Sequence, residues 1–142
     1  MSTEKNKALS RRFREELDKG NWTVVDEFVS PNAVMHLPGS PPLDREGINQ
    51  VLKLFYDAFP DFHTTFEDLI AEGDKVTLRM TFTGTHKGEF QGIPPTGKPI
   101  NVTAIVVDRI VDGKLVEHWS SFDALGMMQQ LGVIPTPGQA GS

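Results

Sequence analysis

The stretch Gly113–Gly132, GKLVEHWSSFDALGMMQQLG, decides how the rest of the chain is read. Asp112-Gly113 at its entrance suits a two-residue hairpin turn. Past the turn the residues alternate as a strand. Val116, His118, Ser120 and Phe122 share one face, and Leu115, Glu117, Trp119, Ser121 and Asp123 share the other. A short helix follows and stops at Gly132, a residue suited to a left-handed helix end, with Asp123 where an N-cap is expected. One strand face therefore carries an imidazole beside a hydroxyl. Function turns on whether that face lines a pocket or packs.

Working outward, Ile100–Val111 is a long β-branched strand joined to the opening stretch by its turn. Phe62–Ala71 and Lys75–Lys87 pair across Glu72-Gly73-Asp74. In the second of these, Val76, Leu78, Met80 and Phe82 alternate with Thr77, Arg79, Thr81 and Thr83. The Gly/Pro-rich segment from Gly88 to Pro99 lacks the spacing of a phosphate loop and is expected to form a flap. At the N-terminal end, Thr3–Lys19 reads as an amphipathic helix with Leu9, Phe13 and Leu17 on its apolar side. Asn21 is the expected cap of a second helix bearing Val24, Val25 and Phe28, which Ser30-Pro31 should stop. Ala33–Leu37 reads as a brief strand. Asp44 caps a third helix, Arg45–Phe59, with the widest apolar stripe: Ile48, Val51, Leu52, Phe55 and Phe59.

The pattern predicts an α+β fold, a curved antiparallel sheet packed on helices and forming a cone. The cone's mouth is the natural place for a small hydrophobic ligand. The expected cavity residues are His36, beside the Pro38–Pro42 loop, Phe55 and Phe59 of the third helix, and Met80, His86 and Val106 of the sheet. The other sheet face, with Thr77, Thr81, Thr103 and Ile105, is expected to pair two copies as a homodimer. Residues 1–132 read as a single domain and 133–142 as a flexible tail.

The chain has 142 residues and a net charge of −5, which argues against nucleic-acid or anionic-membrane partners. It has no cysteine, so thiolate nucleophiles and disulfides are excluded. Its charged N-terminus and lack of a long apolar run make the cytoplasm the default location. The four histidines form no HxH or HExxH pair, and no metal site is expected.

Three segments carry a family resemblance. They are GDKVTLRMTFTGTHKGEF (Gly73–Phe90), GIPPTGKP (Gly92–Pro99) and the run from Arg109 to Gly132, joined by AFPDF (Ala58–Phe62) at the end of the third helix. In this order and spacing they resemble the SnoaL-like polyketide cyclases, within the superfamily named after nuclear transport factor two. The resemblance implies the cone-shaped fold and a cofactor-free enzyme acting on a hydrophobic polyketide-derived ester. In that family a pocket aspartate serves as acid and base in an intramolecular aldol closure. That aspartate falls on Ser120 here, and the family's histidine two residues earlier falls on His118.

Three side chains are thus candidates for chemistry: His118 as acid and base, Ser120 as a donor to a carbonyl oxygen, and Asp123 as the nearest carboxylate. Each has a plain alternative: a packed histidine, a filler hydroxyl, a helix cap. The serine leaves open a second reading, a non-catalytic small-molecule binder of the same fold.

Overall fold

The computed structural model describes residues 2–135. The first helix, α1 (Thr3–Asp18), is capped by Ser2, whose hydroxyl accepts from the Lys5 amide at 3.1 Å. Two short elements follow, α2 (Thr23–Phe28) and β1 (Val29–His36). The third helix, α3 (Arg45–Ala58), is capped by Asp44, which accepts from the Gly47 amide at 2.9 Å. Then come β2 (His63–Glu72), β3 (Lys75–Thr85), β4 (Pro99–Val111), β5 (Lys114–Phe122) and α4 (Ala124–Gln130). The five strands form one curved sheet in the order β1-β5-β4-β3-β2. Within it β2 to β5 are antiparallel neighbours, as expected.

The N-terminal region departs from expectation. Strand β1 starts at Val29, takes Ser30-Pro31 into its length and runs parallel to β5. Its register shifts between Val29 and Val34, so Pro31 sits in an irregular stretch of an edge strand, where a missing N–H costs little. Asn21 does not cap α2. Trp22 holds that position, and Asn21 donates instead to Glu16 at 3.0 Å.

Both residues of the Asp112-Gly113 turn have positive φ, 51° and 79°, the geometry of a hairpin turn that follows the twist of its strands. Just beyond it the β4–β5 register shifts, with Arg109 opposite Glu117 and Ile110 opposite Leu115. Val116 is the extra residue of a β-bulge. The bulge returns Leu115 to the inner face that His118 occupies, which corrects the simple alternation expected there. Leu115 is buried in the core while Val116 is partly exposed.

The core has two parts. Residues of α1, α2 and β1 pack on the inner face of β3–β5 around Leu17, Phe28 and Leu78. A second cluster gathers Phe59, Phe90, Met127 and Leu131 where the end of α3, the segment after β3 and α4 meet. The apolar stripe of α3 is less buried than its composition suggests: Ile48 and Ala58 are buried, whereas Val51, Leu52 and Phe55 are only half-buried. A strongly apolar face left half-covered borders open space. Position 133–135 follows α4, and the remainder of the expected tail lies outside the described residues. Among these, no helix is long and apolar enough to cross a membrane.

Candidate active site

The open space beneath α3 is a cavity of about 130 Å³, bounded by α1, α3 and the inner sheet face. Its wall is almost wholly apolar and includes Phe55, Met80 and Val106. Arg14, Tyr56, Thr64, His118 and Ser120 are its polar side chains.

His118 enters this cavity from β5 and is held from behind. Its Nδ1 lies 2.7 Å from Asp108 Oδ1, on the neighbouring strand and directly opposite in register. Asp108 is fully buried. Arg14 donates to both its oxygens, Nη1 to Oδ2 at 2.7 Å and Nη2 to Oδ1 at 3.1 Å. Ser10 Oγ donates to Oδ2 at 2.9 Å. Burial alone would push the Asp108 carboxyl up. The Arg14 charge and the His118 hydrogen bond outweigh it and hold the group well below the usual carboxylate range. An ionised carboxylate only accepts, so His118 Nδ1 carries the proton in that bond. Its Nε2 is then the free lone pair and makes no protein hydrogen bond among the described residues. The arrangement fixes one tautomer and presents a proton acceptor to an apolar chamber. Ser120, two residues along the same face, adds a hydroxyl to the wall.

The remaining expected site residues are placed elsewhere. Asp123 is exposed and accepts from the Gly126 amide at 2.9 Å, so it caps α4 and does not line the cavity. His36 lies on the outer face. The parallel register puts Met35 opposite His118 and His36 opposite Trp119, so the two side chains take the two faces in that order. His36 stacks on Trp119 at 5.4 Å and bonds Glu117 at 2.7 Å. Phe59 is the residue at which α3 ends, and the extended turn of the chain there sends its ring into the second cluster.

His86 has the inward parity expected of it, but β3 ends one residue earlier. The following segment folds over it, with the Thr96 amide donating to its Nδ1 at 3.2 Å. His86 is wholly buried and outside the cavity. The same segment, expected as a flap, packs Phe90 into the second cluster and contributes no wall residue.

Asp108, Arg14 and Ser10 were not among the expected residues. Asp108 occupies an inward position of a strict alternation, Ala104-Val106-Asp108-Ile110, where a charge has to find a buried partner. Asn6, Ser10, Arg14 and Asp18 recur every fourth residue on α1, so they form one stripe beside Leu9, Phe13 and Leu17. Among the described residues no three His, Asp or Glu side chains converge in a way that could hold a metal ion.

Comparison with known proteins agrees with this architecture. Residues 7–131 match the family described as SnoaL-like polyketide cyclase. The aklanonic acid methyl ester cyclase DnrD of Streptomyces peucetius is 30% identical over 137 residues, spanning 91% of this chain and 92% of that protein. Among solved structures, AclR of Streptomyces galilaeus, a candidate hydroxylase, superposes with a TM-score of 0.88 at 30% identity, covering 95% of this chain and 85% of that one. IdmH of Streptomyces antibioticus, a candidate polyketide cyclase, gives 0.80 at 36% identity over 89% of this chain and 98% of its own.

Proposed function

Since the chain belongs to the SnoaL-like polyketide cyclase family, we propose that it moves a proton on a small, neutral, hydrophobic carbonyl compound of polyketide type, closing a ring by an aldol step without a cofactor. The observation that carries this reading is the His118–Asp108 pair, with a fixed tautomer and a free Nε2 at the wall of an apolar cavity. In the proposed step Nε2 takes a proton from the carbon next to a carbonyl, and the C–H electrons pass to the carbonyl oxygen. Ser120 Oγ donates to the enolate oxygen so formed. The enolate carbon attacks a second carbonyl, the ring closes, and the imidazolium returns its proton to the new alkoxide. Such acid–base assistance contributes about 10²–10⁴-fold.

The cavity favours an uncharged substrate. Among the described residues Arg14 is its one cationic wall residue, and Asp108 occupies that guanidinium. A free carboxylate would be buried without a counter-charge, at a cost of several kcal/mol. This accords with the methyl ester cyclases among its relatives.

The test follows exchange of the protons next to the carbonyl of propiophenone into D₂O by NMR, with the wild type and His118→Ala. Exchange dependent on the protein is expected to fall at least about 100-fold in the variant, with ligand affinity within about threefold. Equal losses in both, or no loss in either, would remove His118 from the chemistry. Ser120, at the position of the family's aspartate, favours a second reading in which the cavity binds such a compound without converting it; wild-type protein with no exchange activity but firm binding would support that one.

A further inference from the structure

The cavity has a second polar pole that the proton-transfer reading does not use. Tyr56 and Thr64 both line it, and both hydroxyls turn to Asp18. Tyr56 Oη donates to Asp18 Oδ1, Thr64 Oγ1 donates to the same oxygen at 3.4 Å, and the Thr64 amide donates to Oδ2 at 2.8 Å. The Asp18 side chain is 12% exposed. His63, on the surface side, has Nδ1 3.8 Å from Asp18 Oδ2.

One helix sets both poles. Arg14, behind Asp108 and His118, and Asp18, behind Tyr56 and Thr64, are four residues apart on α1, a rise of about 6 Å. The two poles therefore open on the same small chamber from adjacent turns of one wall.

The direction of the Tyr56 bond decides what this pole can read. Its single proton is committed to Asp18, so to a group that reaches it from the cavity the oxygen can only accept. Burial, and then the bond to Asp18, push the phenol above its ordinary value, so it stays neutral. A group of this kind accepts from a hydroxyl and has nothing to offer a ketone or an enolate. We propose that Tyr56, oriented by Asp18, is a specificity-determining residue that accepts a hydrogen bond from a hydroxyl on the substrate, and so selects hydroxylated carbonyl compounds over their ethers. This rests on the cavity being the substrate site, and it adds a chemical feature of the substrate that the His118 pole does not specify.

The cavity is small but open on one side, so single-ring ketones, which can extend from it towards solvent, serve as its probes. Dissociation constants of 3-hydroxyacetophenone and 3-methoxyacetophenone would be measured by NMR titration against the wild type, Tyr56→Phe, Asp18→Ala and His118→Ala. The wild type is expected to prefer the hydroxyl compound about tenfold, the worth of one buried hydrogen bond. Tyr56→Phe is expected to bring the ratio to about one while binding the ether as well as before. Asp18→Ala keeps the phenol but frees its proton, and is expected to shift the preference towards the ether. Being at the other pole, His118→Ala is expected to keep the wild-type ratio.

A wild-type ratio of one, or a ratio unchanged in both Tyr56→Phe and Asp18→Ala, would overturn the proposal. Should one of these two variants fail to fold, the ratio in the other decides by the same criterion. Failure of the proton-transfer reading looks different: no exchange of the ketone α-protons, with the hydroxyl preference and its loss in Tyr56→Phe intact.

Discussion

Asp108→Asn tests the centre of the site, because one atom changes while shape and volume are kept. The carboxylate accepts four hydrogen bonds: from Ser10, from His118 and two from Arg14. The amide replaces one oxygen with a donor. Placed at Oδ2, the NH₂ meets Arg14 Nη1 donor to donor. Placed at Oδ1, it meets Arg14 Nη2 and the His118 Nδ1 proton, and drives the ring to its other tautomer. In either placement the Arg14 charge, whose side chain is 10% exposed, loses its counter-charge.

Breaking one side of such a buried pair costs about 3–5 kcal/mol. For a chain of 142 residues that lowers Tm by about 10–15 °C. Activity is expected to fall by about 10²–10⁴, since the imidazole loses its fixed tautomer. Calorimetry of the single variants and of Asp108→Asn with Arg14→Met separates the two effects. The double variant removes the stranded charge and is expected to regain a large part of the lost stability and none of the activity. A single variant that melts within about 2 °C of the wild type would refute the reasoning, because a buried guanidinium cannot lose its partner at so small a cost.

The other expectations can be checked separately. Asp123→Ala should cost about 1 kcal/mol by urea unfolding, the worth of an N-cap, and leave turnover unchanged; a hundredfold fall in turnover would return Asp123 to the chemistry. Asp108 also sets an acid limit. Its folded-state value lies below its unfolded value of about 3.9, so the stability it contributes is present above that pH and is lost as pH falls towards the folded value. Urea midpoints measured from pH 6 to pH 2 should therefore drop more steeply for the wild type than for Asp108→Asn, and parallel curves would contradict this. The outer face, where Ile105 is 53% exposed, is expected to pair two copies; Ile105→Lys should then convert a dimer to a monomer by light scattering, and a wild-type monomer at high concentration would dispose of the interface.

What could be read from sequence was whatever a single element states about itself. The alternation in β3 and the stripe of α3 name their inner faces, and Asp44 and Asp123 announce helix starts. The placement of His36, Phe59 and His86 depended on contacts between elements. His36 takes the outer face because β1 pairs with β5 in one register, and a slip of one residue would reverse it. The Val116 bulge moved Leu115 inward for a similar reason, since nothing in KLVEHW alone marks the extra residue. His86 was covered by a segment expected to form a flap, whose Phe90 packs instead into the second cluster.

Asp108 and Arg14 were in principle legible. Asp108 is a charge at a position where the alternation of β4 demands an apolar residue, and Arg14 is a charge in the polar stripe that borders the apolar one of α1. Neither explains itself alone, and each supplies what the other lacks. Burying them is defensible only as a pair with its remaining hydrogen bonds satisfied, and Ser10 and His118 complete that set. In the proposed reaction the pairing also shapes the chemistry. A lone buried carboxylate would bring uncompensated negative charge behind the imidazole, whereas with Arg14 on its far side it acts as a neutral clamp that sets the tautomer. The cavity can then stay apolar and still contain an oriented base, the combination that removing a proton from carbon beside a carbonyl requires.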